Sequence, residues 1–373
     1  MKGEKTKPVF HRRRTLAWLT ALLAAPRAWG QLTAHASRLT QFAPVVPGYP
    51  LRFPHDEGSH PDFRTEWWYV TGWLDTPAGK PLGFQITFFR TRPETAGDNP
   101  SSFAPRQLVI AHAALSDPAL GRLEHDQRVA RAGFTLAGAE RERLKVWIDD
   151  WRLEREPTAY RARIAARTFL AELAFEATQP PLLQGKNGFS RKGPAPESAS
   201  YYYSIPQLKT SGTLVRGGTR QQVTGTAWMD HEWSSHYLEE SAAGWDWTGI
   251  NLEDGGALMA FRMRDRQGGH FWAGGALREP DGHLQVFAPE EVRFVPRRRW
   301  TSARSGATYP VSLLLKAGDR EFVIEPLFDD QENDARKSSG TIYWEGAVRA
   351  LHNGRLAGRG YLELTGYWRP LRL

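Results

Sequence analysis

Residues 226–250 contain the side chains of this chain that are best suited to chemistry. The segment carries five acidic residues, two histidines and four tryptophans: Asp230, Glu232, Glu239, Glu240, Asp246, His231, His236, Trp228, Trp233, Trp245 and Trp247. This mixture fits a pocket whose carboxyl and imidazole groups face an apolar ligand between indole rings. It also fits a surface strand and loop with aromatic side chains packed underneath, and the sequence leaves both interpretations open.

An extended backbone would divide these residues between two faces, because successive side chains of a strand point in opposite directions. His231 and Trp233 would share one face, while Asp230 and Glu232 would share the other. We therefore expect His231 and Trp233 to line a pocket together. Asp230 and Glu232 could then pair with arginines or cap neighbouring backbone groups.

Motifs of several other chemistries are missing. His236 follows His231 by five residues, whereas the zinc-protease motif His-Glu-x-x-His requires four. The chain has no cysteine, which excludes disulfides, thiolate metal sites and thiol catalysis. No Gly-x-Ser-x-Gly elbow occurs, and no glycine-rich nucleotide loop lies between a strand and a helix. We therefore predict neither a metal nor a cofactor.

The elements around this segment are predicted to be strands. Residues 66–74 are aromatic and β-branched, and residues 83–90 alternate with a period of two. Similar short runs continue to the C-terminus without a convincing long helix, which indicates an all-β sandwich or up-and-down barrel. Hairpin turns are predicted at Asp254-Gly255, Asp281-Gly282 and Asn353-Gly354.

Two related β-domains are suggested by a short internal similarity. Residues 68–72 can be laid on residues 245–249, and each segment precedes a strand that carries phenylalanine and arginine. We expect domains over residues 65–235 and 236–373, after an extended lead-in over residues 31–64. Residues 180–199 are rich in Gly, Pro and Lys and are interpreted as a long loop that could form a lid.

The first 30 residues have the form of an export signal. A basic segment ends in Arg12-Arg13-Arg14, an apolar run covers residues 16–25, and a small-residue site, Ala28-Trp29-Gly30, precedes Gln31. Paired arginines before a moderately apolar run resemble a twin-arginine signal, with a Sec signal as the alternative. Cleavage is expected after Gly30 or, as a second choice, after Ala36. The mature protein would then be periplasmic or secreted.

The positive charge is concentrated in this leader. The whole chain has a formal net charge of +8, and residues 1–30 hold seven basic residues and one acidic residue, so +2 remains. A nucleic-acid partner is therefore not expected. No apolar run approaches the roughly 18 residues that a membrane-spanning helix needs.

Eight motifs in order resemble the AttH/CrtC-like family, the relatives of carotenoid 1,2-hydratase (hydroxyneurosporene synthase). The motifs lie at residues 66–69, 83–90, 111–117, 200–204, 227–233, 244–247, 343–346 and 360–367. The resemblance runs from about residue 50 to the C-terminus. It implies two lipocalin-like antiparallel β-barrel domains packed together, with the site at or between them.

In the hydratase branch of this family, water adds across a terminal double bond of an acyclic carotenoid. This reaction needs a strong proton donor, a wall that tolerates a cation, and a placed water. The resemblance and the residue types assign these roles to Asp246 as acid, His231 as base or water holder, and Trp233 as the wall. Ligand contacts are expected from Trp228, Glu232, Trp245, Trp247, Tyr202 and Trp68. Glu66 and Glu345, each beside a tryptophan, are interpreted as structural.

Two functions follow from this resemblance. The first is an exported enzyme that performs acid-catalysed hydration or related chemistry on an isoprenoid or other apolar ligand. The second is a non-catalytic periplasmic carrier of a lipid or apolar molecule. The exported branch of the family, which the leader fits, is often associated with ABC-transporter systems, so a transporter component is an expected partner.

Overall fold

The computed structural model describes residues 42–93, 100–101 and 103–371. The predicted export signal, both predicted cleavage sites and the first part of the lead-in lie outside these residues. Residues 43–371 form one compact unit of strands, with short 3-10 turns at His55–Glu57 and Pro289–Glu291. Within the described residues, no helix has the length and apolar character needed to cross a membrane.

The first antiparallel sheet contains the strands before residue 237. They are β1 (Thr65–Asp75), β2 (Pro81–Thr91), β3 (Leu108–Asp117), β4 (Arg122–Arg131), β5 (Ala137–Ala139), β6 (Lys145–Ile148), β7 (Trp151–Arg155), β8 (Tyr160–Ala165), β9 (Phe169–Glu176), β10 (Leu182–Leu183), β11 (Phe189–Arg191), β12 (Ala199–Arg216) and β13 (Thr219–His236). Their order is β4-β3-β2-β1-β13-β12-β9-β8-β7-β6-β5, with β10 and β11 paired to β12. The sheet curls until β3 and β4 contact β6.

The second antiparallel sheet follows the same plan. It contains β14 (Ala242–Leu252), β15 (Ala257–Asp265), β16 (His270–Arg278), β17 (Leu284–Phe287), β18 (Val292–Thr301), β19 (Thr308–Ala317), β20 (Arg320–Pro326), β21 (Glu332–Ala335), β22 (Thr341–His352) and β23 (Arg355–Leu364). Their order is β17-β16-β15-β14-β23-β22-β20-β19-β18, and β21 pairs with β22. Since β15 and β16 also contact β18, this sheet closes on itself too. The predicted all-β fold with two lipocalin-like barrels is confirmed.

Alternating side chains give each sheet an inner and an outer face. In β2, Phe84, Ile86 and Phe88 are buried in the core of the first barrel, as their period of two predicts. A second core fills the second barrel, and a third apolar cluster, which includes Tyr69, Trp247 and Phe261, lies where the two outer faces meet. Each strand at that junction therefore has one face in a barrel core and the other face in the junction between the two barrels.

Tight turns join the strands where the sequence predicts hairpins. Asn353 and Gly354 connect β22 to β23, and both have positive φ angles, of 51° and 75°. A two-residue hairpin turn of this kind favours Asn-Gly because both positions require the left-handed region. The segment of residues 180–199, interpreted as a loop, contains β10 and β11, which pair with β12 and pack that segment onto the first sheet.

Candidate functional site

A cavity lies between the outer faces of the two sheets. Its inner compartment is narrow, and the centre of a water molecule can occupy about 70 Å³ of it. The lining comes from both sheets: Thr65, Trp67, Tyr69, Thr87, Phe89, Tyr202, Asp230, Glu232, Tyr237, Trp245, Trp247, Tyr343, Glu345 and Glu363. Aromatic rings form most of the wall, and four carboxyl groups interrupt it.

Two of these carboxyl groups stand on β13, two residues apart on its outer face. Asp230 accepts hydrogen bonds from Tyr202 Oη at 2.7 Å, from Ser204 Oγ at 2.6 Å and from Trp228 Nε1 at 2.7 Å. Burial nevertheless raises the pKa of Asp230 to about 7, because desolvation of the charge outweighs the three donors.

The neighbouring carboxyl, Glu232, is paired with a lysine. Lys192 Nζ lies 2.7 Å from Glu232 Oε1 and is itself 1% exposed. The ammonium group also sits over the rings of Tyr202, Tyr237 and Phe261, at 4.7, 5.2 and 4.3 Å from their centroids. Burial raises the pKa of Glu232 and lowers that of Lys192, while their mutual attraction opposes both shifts.

The other two carboxyl groups face each other from β22 and β23. Glu345 and Glu363 are cross-strand partners. Burial, followed by repulsion from Glu363, raises the pKa of Glu345 well above its ordinary value. Burial also raises the pKa of Glu363 to about 7, although Trp245 Nε1 donates a hydrogen bond to it at 2.8 Å. Glu345 Oε1 has no hydrogen-bond partner among the described residues, so a carboxyl group with a raised pKa and an unengaged oxygen lines this wall.

Rings from both sheets hold the cavity walls in fixed orientations. Tyr69 and Trp247 meet edge to face with centroids 5.2 Å apart. Tyr237 contacts Trp67 at 4.9 Å and Trp245 at 5.4 Å, again edge to face. Edge-to-face contacts of this kind fix the positions of the rings in the cavity wall. The Tyr69 hydroxyl is buried and has no hydrogen-bond partner among the described residues.

A wider compartment adjoins the narrow one. About 330 Å³ of it is open to the centre of a water molecule, and the two compartments share Thr65, Phe89, Tyr237, Trp245, Tyr343 and Glu363. The remaining lining mixes apolar groups such as Ile110 and Leu238 with hydroxyls such as Ser338 and Thr341. The whole space is therefore narrow, aromatic and acidic at one end, and broader at the other.

His231 and Trp233 do share one face of β13, as expected, but that face points into the first barrel and away from the cavity. His231 Nε2 lies 3.0 Å from Glu66 Oε1, and its ring stacks against Trp68 at 4.8 Å. Burial lowers the pKa of His231, and Glu66 opposes that shift. The expected pocket positions must therefore be corrected: the residues on the other face, Asp230 and Glu232, line the cavity.

Asp246 also points away from the cavity, because it alternates with Trp245 and Trp247 along β14. Its carboxylate lies 2.7 Å from Arg262 Nη2 and 2.9 Å from Arg264 Nε, inside the second barrel. Both carboxylate oxygens are engaged by these two guanidinium groups, and Asp246 does not line the cavity. The expected position of Asp246 at the ligand cavity is therefore wrong, and an acid role there would lack contact with the ligand.

The expected ligand-contacting residues divide in the same way. Tyr202, Glu232, Trp245 and Trp247 line the inner compartment. Trp68 lies in the core of the first barrel, where its Nε1 donates to Glu57 O at 3.1 Å. Trp228 does not line the inner compartment but supports its wall, through its hydrogen bond to Asp230 and an edge-to-face contact with Trp247 at 6.4 Å.

One group of three residues has the atoms to hold a metal ion, among the residues that the structure describes. His60, Glu66 and His231 place their ligand atoms within 4.8 Å of one another. Arg90 Nε also lies 2.7 Å from Glu66 Oε2, which adds a positive charge beside the same carboxylate. Burial raises the pKa of Glu66, but Arg90 and the two histidines outweigh it, so the pKa is well below its ordinary value. These contacts fit a buried ion-pair network that ties the lead-in to the barrel.

The sequence interpretation missed several lining residues. Asp230 was expected to pair with arginines and Glu345 to be structural, while Glu363 and Lys192 were not singled out. A signal was present for some of them, since Trp67 and Tyr69 alternate with the core residues Trp68 and Val70. An all-β chain with two barrels needs outer faces that meet, and the outer-facing carboxyls were the ones to examine.

The fold and the site define a lipocalin-like protein of two barrels with an acid-lined cavity between them. Residues 44–367 match the AttH-like family, and the chain belongs to that family. A crystal structure of a candidate AttH from Nitrosomonas europaea is 55% identical, covers 87% of this chain and 100% of its own, and has a TM-score of 0.83. Kievitone hydratase from Nectria haematococca shares the fold at 15% identity, covering 88% of this chain and 96% of its own, with a TM-score of 0.66. No curated protein matches the chain.

Proposed function

We propose that this protein adds water to a carbon–carbon double bond of an apolar ligand held between the two barrels. The observation that carries the proposal is the buried carboxyl of Glu345. This group combines a raised pKa with an oxygen that has no partner among the described residues, and it lines an aromatic cavity. A carboxylic acid that remains protonated at neutral pH is a suitable donor to an alkene carbon.

The reaction would proceed in two steps. Glu345 donates its proton to one alkene carbon, and the electron pair of the double bond forms the new C–H bond and leaves a tertiary cation. Water then adds through its oxygen to the cation and releases a proton to Glu363. Return of that proton to Glu345, its cross-strand partner, resets the site, so the net change is alkene plus water to alcohol.

The cation would be stabilised by the ring faces and negative charges around it. Trp67, Trp245 and Tyr237 border the inner compartment, and an indole face contributes roughly 1–2 kcal/mol to a desolvated cation. The carboxylate of Glu363, which accepts the proton in the second step, lies in the same wall. These groups replace the solvation that water would supply in solution.

The ligand would be an isoprenoid with a terminal trisubstituted double bond, and a carotenoid is the specific candidate. The inner compartment suits the narrow end of such a chain, and the wider one suits the part that follows. A hydratase activity already exists on this fold, since kievitone hydratase shares it. We also propose that the protein acts after export, in the periplasm or outside the cell.

The test is incubation of the purified protein with acyclic isoprenoids in ¹⁸O-labelled water, followed by mass spectrometry. We expect a product that has gained one labelled water. Glu345→Gln should lower the rate by about 10²-fold or more, the range for loss of a general acid. Glu321→Gln is the matched control, because this side chain is 52% exposed and pairs only with Lys316 in the structure. Ligand that co-purifies and is never converted would instead indicate the carrier function.

A further inference from the structure

A chain of hydrogen bonds begins beside Glu345 and links the two sheets. Tyr343 Oη lies 2.9 Å from His112 Nδ1, and His112 Nε2 lies 2.8 Å from Ser338 Oγ. Ser338 Oγ lies 2.7 Å from Gln127 Oε1, and Gln127 Nε2 donates to Asp334 O at 2.6 Å. His112 and Gln127 are cross-strand partners on β3 and β4, so the chain is built on rigid strands.

The donor and the acceptor of each hydrogen bond in this chain can be assigned by starting at the carbonyl group of Asp334. The carbonyl oxygen of Asp334 can only accept, so the amide nitrogen of Gln127 must face it and the amide oxygen must face Ser338. An amide oxygen and a hydroxyl oxygen at 2.7 Å need a proton between them, and only Ser338 can supply it. The single proton of Ser338 is therefore committed to Gln127.

The tautomer of His112 follows. Because Ser338 has no second proton, Nε2 of His112 must carry a hydrogen and donate it to Ser338 Oγ. Burial lowers the pKa of His112 to about 3, so the ring is neutral and has one N–H. Nδ1 is then an acceptor, and the hydroxyl of Tyr343 must donate to it.

The phenol oxygen of Tyr343 is left with lone pairs only. One of them accepts from Asn333 Nδ2 at 3.0 Å, across the β21–β22 pairing. Tyr343 also lines the cavity, and Glu345 follows two residues later on the same face of β22. The remaining lone pair of the Tyr343 oxygen is therefore part of the same cavity wall as Glu345.

We propose that His112 is a positioning residue that draws the Tyr343 proton away from Glu345. A phenol that donated to Glu345 would stabilise its carboxylate, whereas a phenol oxygen that only accepts stabilises the protonated acid. Other groups bear on the same sites. Glu345 faces the hydroxyls of Tyr69 and Tyr343, each of which lowers its pKa when it donates to the carboxyl group, and Glu363, which raises that pKa. The pKa of His112 is lowered by His125 as well as by burial, and its ring packs against Phe89.

The consequence is that His112, from the wall of the wider compartment, keeps Glu345 protonated through Tyr343. Its value for catalysis rests on the proposed hydration, but the state of Glu345 does not depend on any substrate. The experiment therefore measures protonation directly. The infrared C=O stretch of the protonated acid is followed against pH in the ligand-free protein, and the Glu345 band is assigned as the one missing in Glu345→Gln.

Two variants test the proposal independently. His112→Leu removes the acceptor, and Ser338→Ala, at a partly exposed turn, removes the partner that fixes the tautomer. In both, the Tyr343 proton becomes available to Glu345, so the band should be lost at a pH lower by about one to two units. In a Tyr343→Phe background, neither substitution should shift it further.

An unchanged or higher midpoint in Ser338→Ala and His112→Leu would overturn the proposal. Ser338→Ala keeps the test decisive even if the buried His112→Leu variant does not fold. A protein that shows the expected shifts but hydrates no isoprenoid would retain this inference and lose the proposed function. Different observations would therefore refute the proposed role of His112 and the proposed hydratase function.

Discussion

Glu345 and Glu363 lie directly opposite each other on β22 and β23, and both side chains face the cavity. Directly opposed side chains on neighbouring strands have Cβ atoms about 4.5–5.5 Å apart. Two ionised carboxylates at this separation, away from bulk water, repel each other strongly. Repulsion within the pair therefore favours the protonated forms, and its two ionisations belong to the pair as a whole.

This pair should make the protein less stable as the pH rises. The pKa of Glu363 is about 7 in the folded protein, above its ordinary value of 4.5. Its contribution to stability is complete below pH 4.5 and is lost as the pH rises through about 7. Glu363→Gln cannot ionise, so it should be more stable than the parent at pH 8, by about 1–3 kcal/mol.

Urea unfolding at pH 5 and pH 8 measures this effect. At pH 5 the two proteins should have nearly equal free energies of unfolding, because the parent is then largely protonated at Glu363. Glu321→Gln, at an exposed position, should show no such pH dependence. The measured quantity is the stability of Glu363→Gln minus that of the parent. If this difference were lower at pH 8 than at pH 5, the raised pKa of Glu363 would be contradicted.

Asp246 should prove to be a structural residue of the second barrel. Asp246→Asn leaves the buried guanidinium groups of Arg262 and Arg264 without their counter-ion, and also loses a charge that accepts from Tyr367. Breaking a buried pair in this way costs about 3–5 kcal/mol of unfolding free energy. Chemical denaturation measures the loss, and the activity per folded molecule should be retained.

The control for Asp246 is an exposed ion pair. Asp75 lies 3.6 Å from Arg359, and these side chains are 58% and 39% exposed. Asp75→Asn should change the stability by less than about 1 kcal/mol. If Asp246→Asn instead abolished turnover at full stability, the original assignment of Asp246 as the acid would have to be restored.

The fold could be predicted from the sequence because the side chains of its strands alternate between two faces with a period of two. Residues 83–90 placed Phe84, Ile86 and Phe88 on one face, and these side chains do fill the first barrel. Which residues of β14 face outward was harder to predict. Trp68 had been laid on Trp245, yet Trp68 faces the core of its barrel and Trp245 faces the cavity. A shift of one residue reverses every side chain of a strand, and short similarities do not fix it.

Lys192 and Glu232 should depend on each other. Lys192→Met leaves Glu232 buried without a counter-ion, so the unfolding free energy at pH 8 should fall by about 3–5 kcal/mol. The pKa of Glu232, already raised by burial, should then rise further, and the loss should be smaller at pH 5, where the lone carboxyl can hold a proton. Urea unfolding of the parent and the variant at pH 5 and pH 8 measures the loss of unfolding free energy at each pH.

The double variant Lys192→Met/Glu232→Gln provides the control. Removing both charges should recover most of the stability that the single change loses, because no buried charge remains unpaired. Equal destabilisation by the single and double variants would mean that Lys192 acts through its apolar stem and its contacts with the rings of Tyr202 and Phe261.

Export should depend on the paired arginines of the leader. Arg13→Lys combined with Arg14→Lys keeps the charge but removes the twin-arginine feature. The precursor should then remain unprocessed in the cytoplasm, as judged by fractionation and immunoblotting. A Sec signal tolerates lysine in its basic region, so normal processing of this variant would identify the Sec route.

The site was less accessible from the sequence than the fold, because it depends on pairs that are distant along the chain. Nothing near Glu345 in sequence indicates that Glu363 stands opposite, or that the phenol of Tyr343 meets His112 from the other sheet. The segment 226–250 did supply Glu232, Trp245 and Trp247 to the wall. Which of its ionisable groups face a ligand was decided by the contact between two sheets, and no local pattern encodes that contact.

The shared strands at the barrel junction have a practical consequence for engineering. On β13 and β14, alternate residues at 230, 232, 245 and 247 line the ligand space, while residues of opposite phase such as Met229, Trp233 and Ile250 belong to a barrel core. A library restricted to the cavity-facing set could therefore alter ligand preference while the packing that maintains the fold is left untouched. Positions 230, 245 and 247 form the natural first library on these two strands, because a change at Glu232 would leave Lys192 buried without its counter-ion.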